Sequence, residues 1–330
     1  MPACLQMVTL MKTQPSGKQA IIRSGWLNRL RKQWDLQLFV LPALIVVCVF
    51  MIAPLWGLQI AFRDYTFRDG ILGSAWAGLK HFEALVRDPR IGDVIYNTVM
   101  ISILKLLVTF PLPIIFALML NEVRIRSFKR VVQTISYFPY FIAWVIVAYM
   151  ATVWLAPTGG FVNGFFVWAG ILDEPYHFLG RPEAFWGVSI ALEVWKNLGY
   201  SSIIYLAALT AVDNEVIEAS VMDGTTRLQR IWYIMLPAIR PVIMILFIIN
   251  VGFLFAGGLT ASNFQLSYTL GNALNRPRSD ILDTYVLRMG LNMGRFSYAA
   301  AVSLLSSLVA AVLLFSANLF SKKTTGEGFF

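Results

Sequence analysis

Glu193, Lys196, Asn197 and Tyr200 recur at i, i+3, i+4 and i+7 inside an otherwise apolar stretch, which places all four on one face of a helix. Ionisable side chains in such a segment are costly and mark solute pathways, proton relays or counter-charges. Hydroxyl-rich solutes are bound by hydrogen-bonding side chains set beside aromatic faces, and Trp186 and Trp195 belong to the same region. Lys105 and Asn250 lie in two further apolar stretches, Asn250 close to Phe253 and Phe255. Two readings stand side by side. Either these groups line a water-filled path, or Glu193 pairs with Lys196 along one helix while Asn250 hydrogen-bonds a neighbouring helix.

Catalytic chemistry is poorly served. A phosphate-cradling loop needs G-x-x-x-x-G-K-[ST]; the run from Gly73 to Lys80 has Leu79 where the lysine belongs. There is no H-E-x-x-H and no C-x-x-C, and His81 and His177 are the only histidines. Cys4 and Cys48 are the only cysteines, which leaves neither a disulfide framework nor a metal site. The chain is expected to carry no catalytic residue, metal or cofactor of its own. If it moves a solute, the energy comes from a partner chain or an ion gradient.

The elements that position these residues are membrane helices. Of 330 residues 58% are hydrophobic and only 14% charged, against about a quarter charged in average soluble chains. Six apolar runs, at about 38–62, 97–120, 134–155, 185–210, 241–261 and 297–320, each reach the roughly 20 residues that span a bilayer as a helix. They do not alternate with the period of two that a membrane β-barrel requires. The expected fold is all-α and polytopic, with six transmembrane helices. The net charge of +9 raises the question of nucleic acid, but the basic residues flank the spans. Lys12, Lys18, Arg23, Arg29, Arg31 and Lys32 precede the first run, Arg124, Arg126, Lys129 and Arg130 follow the second, and Lys322 and Lys323 follow the last. By the positive-inside rule both termini and the loop at about 211–240 are cytoplasmic. Arg276, Arg278, Arg288 and Arg295 in the last outer loop depart from that pattern. The first run is too long, and too far from the start, for a cleaved signal and reads as a retained anchor. The chain divides into a basic tail at 1–35, a membrane domain at 36–322 and a short tail at 323–330. Trp26, Leu27, Leu30 and Trp34 suit a helix lying on the membrane surface, and a plain topology signal accounts for the tail equally well.

The polar loop between the fourth and fifth runs has more internal structure than a connector needs. Asp213 and Asn214 are helix-capping types, and Glu215 and Glu218 follow where a helix dipole favours acidic groups. Val212, Val216, Ile217 and Ala219 fall near one face. Gly224 can take a left-handed backbone and end that helix. A second helical stretch carries Leu228, Ile231 and Trp232 as an apolar stripe, and Leu236-Pro237 breaks it before the next run begins near Pro241.

Glu218-Ala219-Ser220, Asp223-Gly224 and, twelve residues past that glycine, Leu236-Pro237 resemble the EAA signature of ABC importer permeases. Ser220 stands where a second alanine is usual and Thr225 where alanine is common. The run from Pro54 to Phe62, Leu120 to Arg124 with Phe128-Lys129-Arg130, Ile204 to Leu209, and Asp283 to Val286 with Met289-Gly290-Leu291 are similar to carbohydrate importer permeases, most of all to the branch that handles polysaccharide-derived oligosaccharides, alginate included. The resemblance runs from about residue 35 to 320. It implies a permease in a bacterial inner membrane, paired with a second permease as a heterodimer, with two ATPase subunits that bind ATP and Mg, and with an extracytoplasmic solute-binding protein. Glu218, Ala219, Ser220, Asp223, Gly224, Leu236 and Pro237 would then couple to the ATPase. Glu193, Lys196, Asn197, Tyr200 and Asn250 would line the path of an oligosaccharide, and Lys196 with the outer arginines would suit an acidic one. The alternative class is an ion-coupled secondary sugar transporter with Glu193 as its protonation site.

Overall fold

The computed structural model describes residues 34–256 and 261–325. The expected surface helix at Trp26, Leu27 and Leu30 lies outside the described residues, as do the side chains of Phe253 and Phe255. The chain forms two units, 1–57 and 58–330. α1 (Trp34–Val47) runs into a widened turn at Cys48–Ile52 and then a tighter 3-10 stretch at Ala53–Phe62, which passes the boundary between the units at residue 57. Pro54 lacks the N–H that would continue the regular ladder, and the helix adjusts around it. Gln37–Phe62 is long and apolar enough to cross a membrane.

The second unit opens with a two-stranded ribbon, β1 (Arg63–Asp64) antiparallel to β2 (Ala75–Trp76), with Arg63 opposite Trp76. The helix α2 (Lys80–Arg87) leads to α3 (Pro89–Thr109) and α4 (Pro111–Asn121), which together form the second span. Asp88 caps α3 by accepting from Arg90 N at 3.0 Å, with Pro89 in the first turn where no N–H is needed. Next come α5 (Arg126–Tyr137), α6 (Trp144–Trp154) and α7 (Phe161–Trp168). α8 (Pro182–Thr210) has 29 residues and, at 1.5 Å per residue, is about 43 Å long. It is followed by α9 (Asn214–Met222), α10 (Arg227–Arg230) and α11 (Arg240–Ala256). The short helices α12 (Ser262–Leu270), α13 (Arg276–Ser279) and α14 (Leu282–Leu287) precede the last long helix, α15 (Phe296–Thr325).

The all-α polytopic architecture is as expected, but among the described residues three helices are long and apolar enough to cross a membrane, or five if each of two bent pairs is one span, against the six expected. The third run also differs in its course. Residues 134–155 are not one continuous helix: Arg126–Phe141 and Trp144–Trp154 meet at 101°. Pro139 removes a ladder donor, and Ile142 and Ala143 are extended. The carbonyls freed at this break need donors in an apolar setting, and α8 supplies one through Lys196.

Three cores organise the unit. One joins α4, the end of α8, Met235 and Ile239. A second joins α2, α3, α14 and α15; there Asp88 accepts from Tyr285 Oη at 2.5 Å and from Tyr298 Oη at 3.2 Å. Burial would raise the Asp88 carboxyl, but the Tyr285 hydroxyl and the Arg90 amide outweigh it and hold it at about 2. The third joins α6, the start of α8 and α12.

α8 packs closely on α5 at Gly199, where an added Cβ would come within 2.2 Å of the Ser136 carbonyl oxygen. Gly199→Ala is expected to cost about 1–3 kcal/mol through forced backbone displacement, read as an earlier thermal transition in detergent. Gly187→Ala on the same helix meets nothing within 4 Å and is expected to leave the transition unchanged or raise it slightly.

Candidate functional site

The four polar residues of α8 part company in space. Glu193 does not pair with Lys196. It takes an ion pair from Lys105 on α3, Nζ to Oε2 at 3.0 Å, with side-chain exposures of 4% and 12%. Asn197 Nδ2 donates to the other carboxylate oxygen at 2.6 Å, and Lys105 also reaches Ser262 Oγ at 3.3 Å. A buried pair is tolerable only when its remaining lone pairs and protons are engaged, which Asn197 and Ser262 accomplish. Beside it Asn263 Nδ2 donates to Ser102 Oγ at 3.1 Å, while Asn263 Oδ1 is buried without a partner among the described residues.

Lys196 faces the other way. Its ammonium donates to Pro139 O at 3.3 Å and to Tyr140 O, and lies 5.2 and 5.3 Å from the Tyr140 and Trp144 ring centres. It thus supplies the donors that the broken third span lacks. Tyr200 stacks on Tyr140 with ring centres 3.6 Å apart and planes at 5°.

Cavities follow the Glu193 side. One of about 680 Å³ is lined by Lys105, Thr109, Glu193, Asn250, Asn263 and Asp283 among others. A second of about 150 Å³ shares Thr109, Glu193 and Asn250 with it and adds Asn197 and Ser201. A third of about 160 Å³ shares Thr109, Pro113, Ser201 and Asn250 with the second and adds Tyr200. The three form a lane along α8. Asn250 is exposed in it, its amide donating to Leu246 O of its own helix at 2.8 Å rather than across to a neighbour. Glu193, Asn197, Tyr200 and Asn250 therefore all border the lane, and Lys196 alone stands apart at the break. Thr109, Ser201, Ser262 and Asn263 were not anticipated; the last two follow the fifth apolar run and read as the start of a loop.

The segment after α8 folds as two capped helices. Asp213 accepts from Glu215 N at 2.9 Å to start α9. Gly224, at φ +77°, ends it: Gly224 N bonds Val221 O at 3.0 Å and Thr225 N bonds Ser220 O at 3.1 Å, the paired closure of a left-handed C-terminal cap. The two departures from the expected signature reinforce this turn. Ser220 is buried, its Oγ donates to Ile217 O at 2.6 Å, and Thr225 Oγ1 donates to Ser220 O at 2.7 Å. Thr226 and Gln229 then cap α10 reciprocally, each side chain accepting from the other's backbone N–H. The helix does not stop at Pro237. It widens at Ile231–Met235 and continues through Leu236–Ala238, and the 64° bend follows at Ile239.

This element is fastened from beneath. Val212, Ile217, Ile231 and Leu236 pack on the core of α4 and α8 around buried Met235 and Ile239. Glu122, just past α4, faces Arg230 at 3.6 Å and Arg227 at 4.0 Å. The upper surface carries Glu218, Ala219, Asp223 and Gly224, all exposed, together with Val216, Val221, Met222, Leu228, Trp232 and Tyr233. Val212, Val216, Ile217 and Ala219 do not share one face as expected: Val216 and Ala219 are exposed, whereas Val212 and Ile217 are half-buried and Ser220, three residues past Ile217, is buried. Apolar side chains left exposed in this number on so short a segment suit contact with a partner or with lipid.

Residues 109–326 match the family described as binding-protein-dependent transport system inner membrane component. Over 308 residues, 93% of this chain and 94% of the relative, the sequence is 43% identical to the polygalacturonan/rhamnogalacturonan transport system permease protein YteP of Bacillus subtilis strain 168. It is 29% identical to the lactose transport system permease protein LacF of Rhizobium radiobacter, over 87% of this chain and 95% of that one. Among solved structures, a bacterial alginate ABC transporter in complex with an alginate pentasaccharide-bound periplasmic protein superposes with a TM-score of 0.83 at 35% identity, covering 92% of this chain and 99% of that chain.

Proposed function

Since the chain belongs to the family of binding-protein-dependent transport system inner membrane components, we propose that it is the permease subunit of an ABC importer for oligosaccharides, acidic ones among them. The observation that carries this reading is the lane along α8, bordered by Lys105, Glu193, Asn197 and Asn250 and lying on the same helix whose end supports the capped α9–α10 element. Solute and energy thus meet on one rigid body. Partner ATPase subunits dock on the exposed surface from Val216 to Tyr233, and their closure on ATP moves α9 as a unit, because both its ends are capped and its underside is packed. The relatives that transport polygalacturonan, rhamnogalacturonan and lactose support a saccharide cargo, and the alginate transporter supports an acidic one with a solute-binding protein as donor. The chain sits in the inner membrane with the α9–α10 end cytoplasmic, paired with a second permease that closes the lane from the other side.

An ion-coupled carrier using Glu193 as its proton site fits less well. That carboxylate is already committed to Lys105 and Asn197, and the family depends on a binding protein. The assembled complex in liposomes, given binding protein loaded with an oligogalacturonide, is expected to hydrolyse ATP at least about tenfold faster than without it and to accumulate the sugar. Uptake driven by a proton or sodium gradient with no ATPase present would sink the proposal.

A further inference from the structure

The four arginines that break the charge rule are not alike. Arg278 lies over Tyr96 and Trp186, 5.3 and 4.7 Å from their ring centres. Arg288 forms a two-pronged pair with Asp280, and Arg295 lies 4.4 Å over Tyr298. Arg276, which is exposed, differs from these three in having no ion pair, hydrogen bond or ring contact for its guanidinium among the described residues. It borders a cavity of about 180 Å³ between α12, α13 and α14, at the end of α8 opposite the α9–α10 element. Ser267, also at that cavity, is 3% exposed, and its hydroxyl is buried with no hydrogen-bond partner. Tyr268 is 60% exposed at the rim, stacked at 14° on Phe264, and Asn292 is exposed beside it. Gly271, also at that cavity, leaves no room for a side chain, because a Cβ there would meet Ser267 O at 2.2 Å.

An unpaired cation, an aromatic face, a neutral amide and an unsatisfied hydroxyl around a space the size of one sugar ring form a set suited to a carboxylated sugar. With Asp280 cancelled by Arg288, the net charge of the cavity is that of Arg276. We infer that this cavity binds one uronate unit, its carboxylate on Arg276 and its ring against Tyr268, at a station separate from the lane along α8. The inference rests on the reading of the chain as an oligosaccharide importer. In an importer the station holds the leading or trailing charged unit of a chain while neighbouring units occupy the lane, and it favours acidic oligosaccharides over neutral ones.

The test uses the complete complex of this chain with its partner permease and ATPases in nanodiscs, without binding protein. D-Galacturonate and D-galactose are titrated and followed by saturation-transfer NMR. Galacturonate is expected to bind about tenfold or more tighter than galactose, and Arg276→Gln to abolish that preference, as loss of one charge-assisted bond requires. Ser267→Ala, which removes an unsatisfied buried hydroxyl and so leaves folding intact, is expected to weaken binding of both sugars severalfold. Equal binding of the two sugars to the wild type, or unchanged galacturonate binding by Arg276→Gln, overturns the inference. So does loss of binding-protein docking in Arg276→Gln when galacturonate does not bind the wild type, which would make the cavity a protein-docking surface. Stimulation of ATP hydrolysis by loaded binding protein is measured in parallel. If it is present while galacturonate fails to bind, only the uronate station falls. If no oligosaccharide-loaded binding protein stimulates hydrolysis, the importer reading falls instead.

Discussion

Lys105→Met is expected to cost about 3–5 kcal/mol of stability, because it strands the Glu193 carboxylate in a buried setting with only Asn197 to bond it. The measurement is thermal unfolding of the purified complex in detergent, together with the yield of assembled complex. The double variant Lys105→Met with Glu193→Gln is expected to recover most of that loss, since a neutral amide in place of the carboxylate leaves no unpaired charge. The same double variant separates structure from transport. If the lane carries solute, the restored complex assembles but imports oligosaccharide about tenfold or more slowly, having lost groups that bond a hydrated solute. A double variant that is both stable and fully active would reduce the pair to scaffolding and move the path elsewhere.

The second large effect falls at the other end of α8. Gly224→Val is expected to abolish stimulated ATP hydrolysis and to reduce co-purification of the ATPase, while the thermal transition of the permease shifts little. No atom lies within 4 Å of a Cβ at Gly224, so the penalty comes from its φ of +77° rather than from a clash. A β-branched residue in the left-handed region costs about 1–2 kcal/mol, enough to open the local cap but not the packed core beneath it. Gly224→Asn, which tolerates that conformation, is expected to retain most coupling. Equal loss of coupling in both variants would point to a bare requirement for space against the ATPase rather than for the left-handed turn.

The parts of the molecule that were legible in sequence are those whose physics is local. Long apolar runs identify the spans because hydrocarbon demands them, and the Asp213 cap and the Gly224 turn lie within a few residues of what they satisfy; the reciprocal cap of Thr226 and Gln229 is equally local but was not read. The partner of Glu193 was not legible in this way. The i, i+3 spacing offers Lys196, but Lys105 is 88 positions distant, and only the packing of α3 on α8 brings it near. With Glu193 so engaged, Lys196 is free to serve the carbonyls of the broken third span, and that break is itself visible only as one proline in an apolar run. The single apolar face expected of α9 fails for a related reason. Its apolar residues sit on both sides, so amphipathicity cannot select a face, and the packing of Ile217 and Ser220 on the core below decides it. The cavity at Arg276 stands out only by which arginines are already engaged, a property of the folded chain that no single segment carries.

The outward apolar surface from Val216 to Tyr233 also bears on how many copies of this protein a cell can keep. Met222 is 87% exposed and Tyr233 is 78% exposed, a display that the proposed docking of ATPase subunits would cover and that a solitary subunit cannot. Surfaces of that kind are what chaperones and quality-control proteases read. If ATPases dock there as proposed, a copy made in excess of them carries its own mark for removal, and the stoichiometry of the transporter can be enforced by turnover as well as by matched synthesis.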